Sequence, residues 1–518
     1  MAKKKNKKPR HIKRFSRRIL IAFFLFLQLL ILAGVGFLIT ALQNVWWSFG
    51  FITVALWAIN FIVVVRILYK HGDPEIKIPW IVVLLSMPFV GILFYEVFRQ
   101  RSLTKKEKKV LEKIKTNQVP YFLKGKAAHL SEEDPYYQPM AILESTTDYS
   151  MFEQSKLTYF KNGEDFFPDF LEKLRNAKQF IFLEFFIIHP GKIWDEIHEI
   201  LVQKVKEGVE VRLLYDDFGC YSSLPSQYYE DLRDEGIDCY PFNRAGFLLL
   251  GVYNNRDHRK IAVIDYDFAY TGGANLADEY ANIIERFGYW KDTMIRIEGK
   301  GISSLLALFL LNYDLSKRSI SDYSKFLSHE YPAFENEGAL FSFGTGPEML
   351  YSLRVGEINY LSLIQCARKK IYISTPYFVP SNELLQALEL AALRGVEVHL
   401  VLPGIPDKKI PYLLAKYYIP HVLAAGVHVY FYTPGFNHMK TVLVDDQLAF
   451  VGSINMDFRS FVHNFECGTT ILRSPILKDI EADFKEMLDA SEELPKDFSL
   501  TTIQKVCCAL LSIFIPLL

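Results

Sequence analysis

Apolar residues run almost unbroken through Ile19–Leu42, Phe49–Leu68 and Ile78–Phe98, then give way from about residue 145 to short strand-like and helical patterns. Each apolar run holds roughly 20 residues, which at about 1.5 Å per residue matches a hydrocarbon core near 30 Å. The pattern predicts a membrane region over 19–98 with two or three hydrophobic helices. The first run is too long for the apolar core of a signal peptide, and no small-residue cleavage site precedes the next run. Trp46, Trp47 and Trp80 stand at segment edges, where amphipathic rings favour the membrane interface. Pro79, Pro88, Gly91 and Glu96 interrupt the third run, which suits a re-entrant or interfacial segment as well as a crossing.

Beyond a linker over 99–144 the pattern becomes globular and repeats. Gly208-Val-Glu-Val-Arg-Leu-Leu corresponds to Gly395-Val-Glu-Val-His-Leu-Val. Each is preceded by an apolar strand, Gln179–Ile188 or Lys370–Tyr377, and by an amphipathic helix. The helical apolar positions are Ile193, Ile197, Ile200 and Leu201 in one copy and Leu384, Leu388 and Ala391 in the other, at 3.6-residue spacing. A further strand signal follows in both, at Gly236-Ile-Asp-Cys-Tyr and Gly426-Val-His-Val-Tyr. Strand–helix–strand units with an added hairpin, present twice, predict a duplicated α/β domain with mixed sheets flanked by helices. The halves are expected at 145–338 and 339–496, followed by an apolar tail over 497–518. The stretch Val506–Leu518 is too short to span a bilayer, leaving docking on the catalytic domain or a place in the interface.

Charge changes the picture in one respect. The formal net charge is zero, yet residues 1–18 hold ten Lys/Arg and no acid, so the remainder is net acidic by the same ten charges. A nucleic-acid binder needs the opposite distribution. A basic arm beside an apolar run suits anionic lipid headgroups instead. Under the positive-inside rule both this arm and the basic run Arg99–Lys115 belong in the cytoplasm, which three full crossings forbid. We therefore expect a multi-pass cell-membrane protein in which one apolar segment does not span and the catalytic domain is cytoplasmic. The six cysteines form no C-x-x-C pair and have no histidine at zinc spacing, so no metal site and no cofactor is expected.

The candidate chemistry lies in two motifs of identical spacing. One reads His258-Arg-Lys260, then Asp265, then Gly272-Gly273-Ala-Asn275; the other reads His438-Met-Lys440, then Asp445, then Gly452-Ser453-Ile-Asn455. A single H-x-K on a strand is ordinarily a solvated face, but two copies with the same downstream G-[GS]-x-N are a built feature. Residues two apart on a strand share a face, so each His and Lys project together. Asp265 and Asp445 complete the motifs but have the opposite parity and fall at a hairpin turn, which suits an acid that holds the turn. Paired His/Lys sets suit phosphodiester transfer. One imidazole attacks phosphorus, and the other protonates the leaving alkoxide and later deprotonates the incoming alcohol. Lys260, Lys440, Asn275 and Asn455 would hold the non-bridging oxygens, with one further hydroxyl donor from Ser453. Gly272, Gly273 and Gly452 would admit the phosphate close to the backbone. Met456 and Phe458 read as core.

These paired motifs resemble the phospholipase D superfamily, whose duplicated halves bring two HKD motifs into one site. Closer still, the chain resembles bacterial cardiolipin synthases of the phospholipase D type. The likeness is carried by Asn254-Asn-Arg-Asp-His-Arg-Lys260, Gly272-Gly-Ala-Asn-Leu-Ala-Asp-Glu-Tyr280, Tyr289-Trp-Lys-Asp-Thr293, Thr375-Pro-Tyr-Phe-Val-Pro380, Ala391-Ala-Leu-Arg-Gly-Val-Glu-Val398 and Gly452-Ser-Ile-Asn-Met-Asp-Phe-Arg-Ser460. The apolar pair from about 49 to 98 is similar to that family's membrane region, and Ile19–Leu42 is an addition to it. The resemblance implies that an acid on a later strand orients each histidine: Asp292, 34 residues after His258, and Glu466, 28 after His438. It also implies His258 as nucleophile and His438 as general acid/base, a difference the residues themselves leave open. The implied reaction joins two phosphatidylglycerols into cardiolipin with release of glycerol. A membrane phospholipase D or a phosphatidylserine synthase would use the same residues with water or serine as acceptor. A nuclease fits the acidic body poorly, and a catalytically dead membrane scaffold would have no need of both His/Lys pairs.

Overall fold

The computed structural model describes residues 46–515 apart from 71–73, 88–89, 100–103, 122–132, 245–253 and 349, together with five positions between Phe26 and Gly34. The basic arm and nearly all of Ile19–Leu42 lie outside the described residues. The chain divides into two compact units, one of residues 1–101, 245–254 and 510–518 and the other of 102–244 and 255–509.

In the first unit a helix covers Trp46–Tyr69, with side chains described from Val54 onward. The apolar run Ile78–Phe98 is not one helix but two, Pro74–Ser86 and Gly91–Phe98. The sequence places Pro88 at the interruption, where a missing N–H and a ring clash end a helix. Among the described residues no helix is long and apolar enough to cross a membrane. The transmembrane part of the sequence expectation thus finds no helix of spanning length there. The short helices fold back on the long one: Val64, Ile67, Trp80, Leu84, Val90 and Phe98 form a small core, and Asn60 donates from Nδ2 to Leu84 O at 2.7 Å. Trp80, expected at an interface, is buried edge-on against Tyr95. Around this core Phe61, Ile62, Val65 and Leu68 of the long helix remain exposed.

The second unit holds the repeat. Its strands in the first half are β1 (Phe152–Glu153), β2 (Lys156–Phe160), β3 (Phe180–Phe185), β4 (Glu210–Asp216), β5 (Asp238–Phe242), β6 (Lys260–Ile264), β7 (Phe268–Gly272), β8 (Tyr289–Lys291) and β9 (Met294–Glu298). The second half adds β10 (Ala339–Thr345), β11 (Lys370–Ser374), β12 (Glu397–Pro403), β13 (His428–Tyr432), β14 (Gly435–Asn437), β15 (Thr441–Val444), β16 (Leu448–Gly452), β17 (Glu466–Leu472) and β18 (Ser491–Glu493). One sheet runs β2-β9-β7-β6-β3-β4-β5 and the other β1-β10-β17-β16-β15-β11-β12-β13-β18. The order β9-β7-β6-β3-β4-β5 recurs as β17-β16-β15-β11-β12-β13. In each, two strands run parallel to a third and the motif hairpin is added antiparallel. These are the mixed, duplicated sheets that the repeat predicts.

Local chemistry explains the elements. Every side chain of β3, β6, β15 and β17 is buried, as befits strands covered on both faces. Helix Lys192–Lys206 buries Ile193, Ile197, Ile200 and Leu201, and helix Asn382–Leu393, capped by Ser381, buries Leu384, Leu388 and Ala391. Helix Ile302–Lys317 is buried around its whole circumference up to Asp314 and packs on both sheets. The tail forms a helix, Thr502–Ser512, which docks through buried Cys508 on Leu413 while Ile503 and Val506 stay exposed. Met456 and Phe458 are core.

Candidate active site

Both H-x-K motifs enter a central strand of their sheet, Lys260 opening β6 and Lys440 immediately preceding β15. Just before the strand, each motif is hydrogen-bonded to the opposite half. His258 N–H donates to Phe465 O at 2.8 Å, and Phe465 N–H returns to Arg256 O at 2.7 Å. His438 N–H donates to Lys291 O at 2.7 Å, where β14 pairs in parallel with β8. The acid following each acceptor carbonyl then reaches the ring. His258 Nδ1 lies 2.8 Å from Glu466 Oε2, and His438 Nδ1 lies 2.5 Å from Asp292 Oδ2.

The pairing is therefore crossed, whereas the family resemblance, carried over residue by residue, sets each acid beside the histidine of its own half. The reason is sheet order. Asp292 precedes β9 and His258 precedes β6, with β7 between them; β16 separates β17 from β15 in the same way. Two strand spacings amount to about 10 Å, too far for a hydrogen bond. Docking of the two sheets supplies the nearer acid.

The motifs differ at Gly273 and Ser453, and this difference lies beside these acids. A Cβ on Gly273 would sit 2.0 Å from Asp292 Oδ1, so that position has no room for a side chain. At the matching place Ser453 donates its hydroxyl to Glu466 Oε2 at 2.5 Å. A Cβ on Gly452 would lie 2.6 Å from Cys467 O. The motif glycines thus admit the acid-bearing strands, rather than a phosphate as the sequence suggested. The Ser453 hydroxyl, expected on phosphate, is engaged by the acid.

With a carboxylate on Nδ1, the proton of each neutral ring is held there and Nε2 is left for chemistry. Burial, then the Lys260, Lys440 and Lys408 charges, hold the His258 pKa well below its usual value. Burial and Lys440 lower His438 to about 3 against the opposing pull of Asp292. Both rings therefore rest neutral. Burial lowers Lys260 to about 8 and Lys440 to about 7, against the attraction of Glu466 and Asp292. Burial raises Glu466 to about 7. It also pushes Asp292 upward, but Lys440, His438 and the hydrogen bonds outweigh it and leave that acid lowered. Lys260 Nζ donates to His258 O at 2.6 Å; Lys440 Nζ lies 2.8 Å from His438 Nδ1 and also donates to His438 O.

The remaining motif residues divide. Asp265 stands in the left-handed region (φ 52°) and accepts the backbone N–H groups of Lys178, Gln179 and Phe180 at 2.7–2.8 Å. Asp445 (φ 51°) accepts those of Arg368, Lys369 and Lys370 at 2.8–2.9 Å, with the Tyr136 hydroxyl at 3.1 Å. Each clamps its hairpin to the start of the adjacent strand and does not touch a histidine. Asp265→Ala is expected to lower stability by about 2 kcal/mol, since it leaves one buried and two part-buried donors short of a charged acceptor; urea unfolding measures it, and an unchanged midpoint contradicts the clamp. Asn275, expected on phosphate, has both ends engaged: Oδ1 accepts Ile187 N–H at 3.1 Å and Nδ2 donates to the Tyr280 hydroxyl at 2.7 Å. Asn455 is buried, with Oδ1 lacking a partner among the described residues.

Several site residues escape the motif pattern. Phe186 packs edge-on against His258 at 4.9 Å, and Trp290, Phe436 and Tyr280 surround His438 at 5.4–5.6 Å. Trp290 and Tyr280 belong to stretches that carry the family resemblance, but nothing in spacing marks them as ring walls. Two imidazoles, each held by an acid at Nδ1, and two lysine amines can together attack a phosphodiester, neutralise its oxygens and move a proton on and off an alcohol.

Residues 170–303 and 360–488 match the family model described as cardiolipin synthase, PLD-like domain, and residues 58–100 match the one described as phospholipase D-nuclease N-terminal. An uncharacterised protein of Streptococcus mutans serotype c is 40% identical over 83% of this chain and 92% of its own. The cardiolipin synthase of Geobacillus sp. (strain WCH70) is 34% identical over 83% of this chain and 85% of its own. That of Alkalihalophilus pseudofirmus is 31% identical over 94% and 95%. Among solved structures, the phosphatidylserine synthase of Haemophilus influenzae Rd KW20 superposes with a TM-score of 0.55 at 16% identity, over 70% of this chain and 95% of that one, a likeness of fold.

Proposed function

We propose phosphatidyl transfer between two phosphatidylglycerols, giving cardiolipin and glycerol, as the reaction of this chain, which belongs to the cardiolipin synthase family of phospholipase D-like proteins. The observation that carries it is the pair of acid-held imidazoles built from both halves. Binding of the phosphodiester anion favours a second proton on His438, at Nε2. His258 Nε2 attacks the donor phosphorus, and the bond to the glycerol oxygen breaks as His438 donates that Nε2 proton to it and returns to the neutral ring. A second phosphatidylglycerol then loses a hydroxyl proton to His438, its oxygen bonds phosphorus, and His258 leaves. Lys260 and Lys440 neutralise the non-bridging oxygens, and Asn455 adds a polar contact. The His258/His438 division follows the family resemblance. Asp265 and Asp445 serve the hairpins, and Asn275 and Ser453 serve the site from behind.

Incubating the purified full chain with phosphatidylglycerol tests the acceptor. Cardiolipin and glycerol in equal amounts are expected; phosphatidic acid without cardiolipin would make the chain a hydrolase. The lysine values set the pH dependence. As pH rises through about 7 Lys440 loses its charge, and through about 8 Lys260 follows. Phosphate attraction weakens, so kcat/KM should fall on the alkaline side, starting near pH 7. Bound phosphodiester favours the charged lysines, so kcat should hold to higher pH; a kcat/KM flat to about pH 9 contradicts the lysine roles.

We place the enzyme in the cell membrane, multi-pass through its N-terminal apolar runs, with the catalytic halves on the cytoplasmic side. The run lengths and the basic segments support this assignment. Cysteine labelling near residue 120 in intact cells tests it, and labelling from outside contradicts it.

A further inference from the structure

The loop that follows β12, Gly404–Lys408, carries an acid that the transfer chemistry does not use. The loop is fastened to the end of β13, where Gly404 N–H donates to Tyr432 O at 2.9 Å, and to β14, the strand running into His438, where Ile405 N–H donates to Gly435 O at 3.3 Å. Tyr377, just beyond β11, donates its hydroxyl to Asp407 Oδ2 at 2.6 Å. Lys408 lies 4.8 Å from the Tyr377 ring centre and 3.9 Å from Asp407. The other carboxylate oxygen, Asp407 Oδ1, is buried and has no hydrogen-bond partner among the described residues. The Asp407 charge also reaches Lys440 and the phenol of Tyr280, both of which face His438.

A buried carboxylate oxygen without a donor is costly to leave unmade, and such an oxygen beside a reacting centre calls for a donor from the ligand. A carboxylate repels the phosphate that the lysines attract, so its partner is the uncharged part of the substrate. The end of β4 in the first half shows the contrast. There Asp216 gives one oxygen to the Phe218 and Gly219 N–H groups and the other to Asp257 N–H, so its carboxylate is engaged by the fold.

We infer that Asp407 is a specificity-determining residue that accepts a hydroxyl of the glycerol headgroup beside the hydroxyl that reacts, with Tyr377 holding the carboxylate in place. This rests on the transfer reading above. In the second half-reaction His438 takes the proton of the reacting hydroxyl, the new P–O bond forms and the P–N bond to His258 breaks; Asp407 exchanges no proton and positions the polyol. In the first half-reaction the same contact holds the departing glycerol.

Competition between glycerol and 1-propanol for the phosphatidyl group tests the inference in the purified full chain, because the product ratio within one sample is independent of how much enzyme is folded. The wild-type chain should prefer glycerol. Asp407→Ala should lower that preference about tenfold, as expected for one hydrogen bond to a charged group, with Asp407→Asn intermediate. Both variants should also shift products from cardiolipin toward phosphatidic acid. Transfer by the wild type with an unchanged glycerol preference in both variants overturns the Asp407 assignment alone. A wild type that yields phosphatidic acid and no transfer product overturns the transfer reading and this inference with it.

Discussion

Alanine at His258 or at His438 is expected to lower cardiolipin formation by at least about 10,000-fold, because each ring belongs to a unit in which loss of one member removes most of the catalysis. The two losses differ in kind. Without His258 no covalent intermediate forms. Without His438 attack on phosphorus remains possible, but the glycerol departs unprotonated and the acceptor lacks a base. A donor with a nitrophenol leaving group needs no proton, so His438→Ala should release one equivalent in a burst and then stall, while His258→Ala should give no burst. Stopped-flow absorbance separates these outcomes. Equal bursts from both variants would remove the division of roles, and full steady-state turnover by either would remove that ring from the mechanism.

The crossed acid–histidine pairs give the second large effect. Asp292→Asn removes the carboxylate that fixes the proton on His438 Nδ1, and Glu466→Gln does the same for His258. A wrong tautomer costs about a thousandfold or more in comparable carboxylate–histidine pairs. Crossing dictates which variant resembles which. Asp292→Asn, though near His258 in sequence, should burst and stall like His438→Ala; Glu466→Gln should suppress the burst like His258→Ala. The opposite pattern would mean that each acid serves its own half. Ser453 donates to Glu466 as well, so Ser453→Ala should mildly weaken the first step and leave the second untouched.

What the sequence made legible was local. Residue period placed β3, β4, β11 and β12 and the helices between them, and equal spacing marked His258/Lys260 and His438/Lys440 as a matched set. Parity put Asp265 and Asp445 at turns, where both carboxylates hold backbone donors. What depended on how the two sheets dock was not legible. Nothing in a spacing of 28 or 34 residues reveals that β7 and β16 lie between each histidine and the acid of its own half. Asn275 looked equivalent to Asn455 by motif, yet Tyr280 and Ile187 occupy its amide. The third apolar run breaks between Ser86 and Gly91, where Pro88 and Gly91 already interrupt the apolar pattern of the sequence. Asp407 lies outside both motifs, and what sets it apart is a buried oxygen without a partner among the described residues, on a loop bonded to the His438 strand.

The central claim is that one centre, shared by both halves, transfers a phosphatidyl group through His258. Acid-sensitive phosphohistidine survives an alkaline quench, so His438→Ala enzyme mixed with the activated donor, quenched at high pH, digested and mapped by mass spectrometry tests it directly. A phosphatidyl adduct is expected on the peptide containing His258, absent from the His258→Ala/His438→Ala double variant. An adduct on any other residue, or a burst of nitrophenol with no adduct on the protein, would contradict it.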